Sequence, residues 1–250
     1  MILEKEDIVS FIIGMCLGDG HLSIGKNAVN YNINCTHSPS QYEYLIWKME
    51  ILKENLQKEY WIRKEKAHIG GKAICDGNKG KEYDIYRGKL GTHTLVTYIH
   101  NLLYVNNKKT VPVDALNLLT PIGLAVWYMD DGNLAYQKDR KYPSVIAGRN
   151  VTLHIQGFDS DSQNNIIQYF QENLGLDARL HKARDKFKLW MNTKNSIEFL
   201  KVVAPYVNLV ECMKYKIDLK YKNKNVDLIS SVEPGNRYII HPRVPAISSR

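Results

Sequence analysis

One short pattern occurs twice in this chain. Ile12-Ile13-Gly14-Met15-Cys16-Leu17-Gly18-Asp19-Gly20 is echoed by Leu124-Ala125-Val126-Trp127-Tyr128-Met129-Asp130-Asp131-Gly132, each an apolar run closed by Asp-Gly. Asp19 and Asp131 stand 131 − 19 = 112 positions apart in 250 residues, so the repeat divides the chain into halves of similar length. A duplicated unit constrains topology more than composition does, because both copies must find equivalent surroundings.

Each copy reads as a helix with a charged end. The first is expected to start near Asp7 as N-cap and to run through Ile8, Val9, Phe11, Ile12, Ile13, Met15 and Leu17. The second is expected to start at Thr120, with Pro121 at the first helical position. Gly20 and Gly132 fall where a helix stops, in the left-handed conformation that glycine adopts cheaply. Both segments are apolar nearly all round, which predicts burial, and both are far short of the ~20 apolar residues that span a bilayer.

The two aspartates are poorly placed for stability. A carboxylate at a helix C-terminus meets the negative end of the macrodipole, at a cost of about 0.3–1 kcal/mol, and two brought together repel. A solvated Asp-Gly turn would account for one copy. Two copies, each ending a buried helix, point instead to a cation site, where a divalent ion relieves both penalties. Gly14 and Gly18 lie four apart on one helical face and permit close approach of a second backbone. Packing the two helices on each other would set Asp19 beside Asp131.

At these residues the chain resembles the single-chain LAGLIDADG homing endonucleases. The first copy keeps Gly14 and the closing Gly18-Asp19-Gly20, and departs at Leu17, where the name-giving motif has an acid. The second keeps Leu124, Ala125, Asp131 and Gly132, and departs at Val126, where glycine is usual, and at Asp130, where a small residue is usual. The resemblance covers about residues 8–220. It implies an α+β fold of two pseudo-twofold-related αββαββα halves, packed through the motif helices, with two antiparallel β-sheets forming a DNA-binding saddle. The expected divisions are 1–109, 110–220 and a tail, 221–250.

Composition agrees with a polyanionic partner. The net charge is +8 and the pI about 9.1. Residues 1–109 carry 15 − 12 = +3 and residues 110–250 carry 19 − 14 = +5, so the excess is shared rather than held in a tail. A long nucleic acid lying across both halves fits that distribution. Four scattered cysteines without a Cys-x-x-Cys argue against structural zinc or a disulfide framework, and hence for a reducing interior. No signal peptide or membrane span is visible, so an intracellular protein is expected, in a bacterial cytoplasm or an organelle, and the single-chain resemblance implies a monomer.

Two hairpins should follow the motif helices. In Val29–Thr36 the residues Asn30, Asn32, Asn34 and Thr36 alternate with Tyr31, Ile33 and Cys35, and in the second half Thr152, His154 and Gln156 repeat the alternation. A polar strand face is most simply a solvated one. Here it is read as a base-reading face, since asparagine pairs bidentately with adenine. Arg63, Lys66 and Arg87 in the first half, and Lys138, Arg149, Arg179, His181, Arg184 and Lys188 in the second, are candidate phosphate or guanine contacts.

The resemblance implies the remaining roles. Asp19 and Asp131 would hold Mg²⁺, with Mn²⁺ substituting, assisted by the carbonyls of Gly18 and Asp130. A supporting lysine is implied in each half: Lys109, with Lys108 as competitor, and Lys216 in Met213-Lys214-Tyr215-Lys216. They follow Asp19 by 90 residues and Asp131 by 85. The implied activity is a staggered double-strand break with short 3′ overhangs in a long, non-palindromic DNA target, promoting mobility of a host intron or intein. The alternatives are a maturase binding intron RNA and a DNA-binding protein with an inactive nuclease centre. No Walker A loop, Rossmann fingerprint, His-Glu-x-x-His or Ser-His-Asp signature is present.

Overall fold

A computed structural model describes residues 1–68, 82–138, 141–142, 146–183 and 186–218. The candidates Arg184 and the tail 221–250, and the side chain of Lys138, lie outside the described residues. The first half runs α1 (Lys5–Leu17), β1 (His21–Ser23), β2 (Asn32–His37), α2 (Tyr42–Leu56), β3 (Tyr60–His68), β4 (Glu82–Leu90) and α3 (Thr94–Leu103). A small hairpin, β5 (Tyr104–Val105) with β6 (Lys108–Lys109), and a short α4 (Val113–Asn117) lead to the second half. That half runs α5 (Pro121–Asp131), β7 (Gly132–Lys138), β8 (Ile146–Leu153), α6 (Ser160–Glu172), β9 (Ala178–Ala183), β10 (Lys186–Met191) and α7 (Thr193–Val207), closing on a 3-10 turn, Glu211–Lys216.

The two sheets have the same order, β1-β2-β4-β3 and β7-β8-β10-β9, and are antiparallel throughout. The expected α+β fold with repeated halves is therefore the observed one. Register relates the halves residue by residue: Leu22 faces Ile33, and its repeat mate Leu134 faces Val151. Counting onward from Ile33 and Val151, the helix caps Gln41 and Asp159 coincide, as they should.

Strand parity decides which side chains meet the helices. Ile33, Cys35, Val151, Leu153, Leu189 and Met191 point inward and are buried. The helices α1 and α5 pack on each other and are buried on nearly every side as expected, with Phe11, Ile12, Ile13, Trp127 and Tyr128 fully buried. Cys16, Cys35 and Cys212 are free thiols. No helix among the described residues is long and apolar enough to cross a membrane.

The motif helices touch backbone to backbone. A Cβ on Gly14 would stand 2.2 Å from the Gly123 carbonyl oxygen, and one on Gly123 would stand 2.2 Å from Ser10 Oγ. The close approach expected of Gly14 is thus met by Gly123, so Val126 in place of glycine does not loosen the contact.

Three local expectations are corrected. Asp7 does not cap α1; the helix begins at Lys5, and the Asp7 carboxylate instead accepts a hydrogen bond from Thr120 Oγ1 at 2.6 Å, tying the starts of α1 and α5 together. Thr120 is the N-cap of α5 in position, with its hydroxyl committed to that link rather than to the helix. Gly20 and Gly132 are not left-handed: Gly132 has φ −82°, and Gly175, the stop after α6, is the glycine with positive φ among the described residues. What requires glycine at these ends is space, since a Cβ would stand 2.5 Å from the Met15 carbonyl at Gly20 and 2.0 Å from the Tyr128 ring at Gly132.

Candidate active site where the motif helices meet

Both motif carboxylates emerge at the C-terminal ends of α1 and α5, beside each other and partly open to solvent. Burial, reinforced by the Asp130 carboxylate, pushes Asp19 up to about 6. Burial, reinforced by Asp19 and then Asp130, pushes Asp131 up to about 7. Each carboxylate is thus raised first by burial and then by its acidic neighbours, against the opposing pull of nearby lysines, and a bound cation would relieve both causes.

A lysine closes each helix end. The Asn106-Asn107 turn has φ of 51° and 61°, matching the two left-handed positions of a type I′ turn. It sets Lys108 and Lys109 on opposite faces of β6. Lys109 Nζ donates to the carbonyls of Cys16 (2.6 Å) and Gly20 (3.4 Å). Lys108 is exposed and pairs with Asp159 at 3.1 Å, which separates the two candidates. In the second half Lys216 Nζ donates to the carbonyls of Gly132 (2.9 Å), Tyr128 (3.3 Å) and Asp130 (3.4 Å). Cys16 and Gly20 are the repeat mates of Tyr128 and Gly132, so the two ammonium groups occupy equivalent positions. Each satisfies carbonyls left over at a helix end and offsets the macrodipole there. Burial holds the Lys216 pKa below its usual value.

The departure at Asp130 is accommodated from outside the motif. Its carboxylate is fully buried and accepts from Lys48 Nζ of α2 at 2.9 and 3.3 Å, while its Oδ2 also accepts from the Asp19 backbone N–H at 3.1 Å. The space it fills exists because residue 18 is glycine: a Cβ there would stand 2.4 Å from Asp130 Cβ. Burial works against the Lys48 charge, but Asp130, Cys35 and Asp19 together outweigh it and hold the ammonium above its ordinary pKa. His37, buried on the inner face of β2, places Nδ1 3.2 Å from Gln41 Oε1 and 3.8 Å from Asp19 Oδ2, and its Nε2 has no hydrogen-bond partner. Burial lowers its pKa to about 4, so the imidazole is neutral at pH 7. Sequence reasoning missed both His37 and Lys48. The signal was parity: His37 continues the inward series Ile33, Cys35, and Lys48 falls in the buried stripe Tyr44, Leu45, Met49, Leu52.

The expected base-reading face is narrower than the alternation implied. Asn32 and Asn34 do lie on the outward parity with Thr36, but they are buried and hydrogen-bonded to Ser23 of the neighbouring strand. Asn30 precedes β2 and accepts from Thr97 of α3. Thr152 is buried. Arg149 is corrected outright: it belongs to β8 on the inward parity of Val151 and is buried. Lys66 pairs in register with Asp84, on the opposite face from Arg63 and Arg87, and is salt-bridged to Asp84 at 2.8 Å.

The outward face that remains available has Thr36, Arg87 (paired with Glu65 at 3.0 Å), Arg63 over the Trp61 ring, and Lys89, which the sequence reading did not single out. In the second sheet Arg179 and His181 stand opposite Trp190 and Lys188 and are exposed. His154 and Gln156 lie beyond the end of β8 and contact each other at 3.2 Å.

Comparison with known proteins agrees with this architecture. Residues 9–199 match the family model described as the LAGLIDADG DNA endonuclease family. Among curated proteins, the chain is 26% identical over 228 residues to a protein named RecA from Mycobacterium gastri, covering 89% of this chain and 50% of that one. The chain thus spans about half the length of such relatives. It is 24% identical to the cytochrome b mRNA maturase bI2 of Debaryomyces hansenii, covering 86% of this chain and 74% of that one. Among solved structures, the homing endonuclease I-WcaI bound to its DNA recognition sequence superposes with a TM-score of 0.68 at 21% identity, covering 87% of this chain and 88% of that one, which shows a shared fold.

Proposed function

The chain belongs to the LAGLIDADG DNA endonuclease family, and on that premise we propose that it is a site-specific homing endonuclease that cuts both strands of a long, non-palindromic DNA target. The observation that carries this reading is the paired site: two carboxylates, raised by burial and by neighbouring carboxylates, at the ends of two touching helices, each end closed by a lysine locked onto helix carbonyls. The two similar sheets with outward cations support a duplex lying across both halves, and mobility of a host intron or intein is the proposed consequence.

The residues fit a hard divalent cation, Mg²⁺ with Mn²⁺ as substitute. Asp19 and Asp131 offer half-open oxygen donors, and carbonyls stand nearby. When bound, such an ion supplies Lewis-acid charge to the scissile phosphate and lowers the pKa of a coordinated water. In the proposed reaction the two aspartates hold that charge in place. In the same proposal Lys109 and Lys216, held at the helix ends beside the aspartates, add positive charge near the scissile phosphate, and a lysine there would help protonate the departing 3′ oxygen. The stagger of the cuts, with 3′ overhangs, is part of the same proposal.

The test is cleavage of a randomised duplex library with Mg²⁺, followed by sequencing of the cut ends, for the parent and for Asp19→Asn and Asp131→Asn. Staggered cuts at one long motif, lost in both variants, establish the activity. Tight binding to one motif without any cut refutes it. The Debaryomyces hansenii relative favours one second reading, a maturase that binds intron RNA. Selective binding of intron RNA with no DNA motif recovered would decide for it.

A further inference from the structure

The two half-sites do not end alike. The first motif helix stops at Leu17, while the second continues through Asp131, two positions beyond Met129, the repeat mate of Leu17. Early termination takes the Asp19 N–H out of the helical ladder. It is caught by the Asp130 carboxylate, which is itself held by the buried Lys48 ammonium.

Among the described residues this chain of contacts has no counterpart in the other half. By register, Asp130 corresponds to Gly18, Lys48 to Ile166 and His37 to Ile155. Both isoleucines are fully buried. A polar cradle therefore surrounds Asp19, and the positions that would build the same cradle around Asp131 carry apolar side chains or none.

We infer that the Lys48–Asp130 ion pair is a one-sided anchor that fixes the backbone of Asp19, so that the two strand cuts differ in their tolerance of active-site disorder. This rests on the two-site nuclease reading above. Lys48 is a positioning residue in this account: it acts through Asp130 on the residue that holds the cation, and touches no reacting atom. A fully buried ion pair is weak as a source of stability. Its connection to the Asp19 amide gives it another use, since misplacement of a reacting group by about 1 Å costs roughly 100-fold in rate.

Two measurements test it on the full chain. The first needs neither metal nor DNA. In ¹⁵N–¹H spectra the Asp19 amide, donating to a carboxylate, should lie downfield and exchange slowly. Lys48→Met/Asp130→Ala should abolish both features, and Lys48→Gln/Asp130→Asn, which retains an amide oxygen for the Asp19 N–H, should largely keep them.

The second is single-turnover cleavage of the duplex recovered from the library, with each strand labelled separately. Lys48→Met/Asp130→Ala should change the ratio of the two strand rates by about tenfold or more, and Lys48→Gln/Asp130→Asn should restore it toward the parent value. If Lys48→Met/Asp130→Ala proves too unstable, Asp130→Asn alone should move the ratio the same way by a smaller factor. Equal slowing of both strands, or an unchanged ratio with an unchanged Asp19 amide, overturns the anchor while leaving the nuclease reading intact. Failure of the parent to cut either strand overturns that reading, and the strand asymmetry with it.

Discussion

Replacing Asp131 by asparagine should stabilise the metal-free protein at neutral and alkaline pH. The Asp131 carboxyl rises from 3.8 to about 7 in the fold, because burial and the carboxylates of Asp19 and Asp130 oppose its charge. Its folded pKa is above its unfolded value, so its contribution to stability is fully present below about pH 4, is lost progressively as pH rises, and is gone above about pH 7. At 1.36 kcal/mol per pH unit, the rise corresponds to a ceiling of about 4 kcal/mol. Asp131 is partly exposed, and water screening reduces this to about 2 kcal/mol. For a chain of this size that is about 4–8 °C in Tm. The assay is thermal melting in EDTA from pH 4 to pH 9, parent against Asp131→Asn. The variant's advantage should be absent near pH 4, grow to pH 7 and stay level above it. Added Mg²⁺ should then raise the parent more than the variant, because a ligand of the native state alone stabilises it. An asparagine variant that melts lower than the parent at pH 8, or an advantage that does not change with pH, would refute the electrostatic account of the site.

Four further outcomes follow from the same geometry. At limiting Mg²⁺, cleavage should fall as pH drops below about 7 and more steeply below about 6, as Asp131 and then Asp19 take up protons, and more metal should move that limb to lower pH. Lys216→Met removes the donor from three carbonyls and should cost about 1–3 kcal/mol in denaturant melts while abolishing cleavage and preserving DNA binding in Ca²⁺. Gly14→Ala puts a methyl group 2.2 Å from a backbone oxygen that cannot swing aside, and should destabilise by about 3 kcal/mol in urea titration. Lys89→Ala should weaken DNA binding and lower its salt slope by about 1, whereas Lys66→Ala, on the opposite face of the same sheet, should leave the slope unchanged.

What the sequence made legible were features with a period or a duplicate. The motif repeat announced the two helices, Gly14 announced their close contact, and the family resemblance, with matched spacing, singled out Lys109 and Lys216, which stand at equivalent helix ends. Strand alternation correctly put Asn34 and Thr36 on the outward side. It could not reveal that the neighbouring strand covers Asn34, because coverage is set by Ser23, which pairs only after folding. Arg149 was misread because a candidate contact named for its charge carries no record of its inward parity in β8. Lys48 was invisible for a different reason: a lysine in a helix is ordinarily solvated, and only the distant Asp130 explains why this one is buried. The glycines at 20 and 132 were placed correctly for the wrong reason, crowding rather than dihedral angle.

The contact between Gly14 and Gly123 has a consequence for how such a protein can change over time. It is made by main-chain atoms that meet because positions 14 and 123 carry no side chain. The approach of the two helix ends, and under the proposed nuclease activity the offset between the two cuts, is therefore written into those two glycines. The outward residues of the sheets are written elsewhere and can drift independently. Under the proposed activity, a chain built this way can acquire a new address without relearning how far apart to cut.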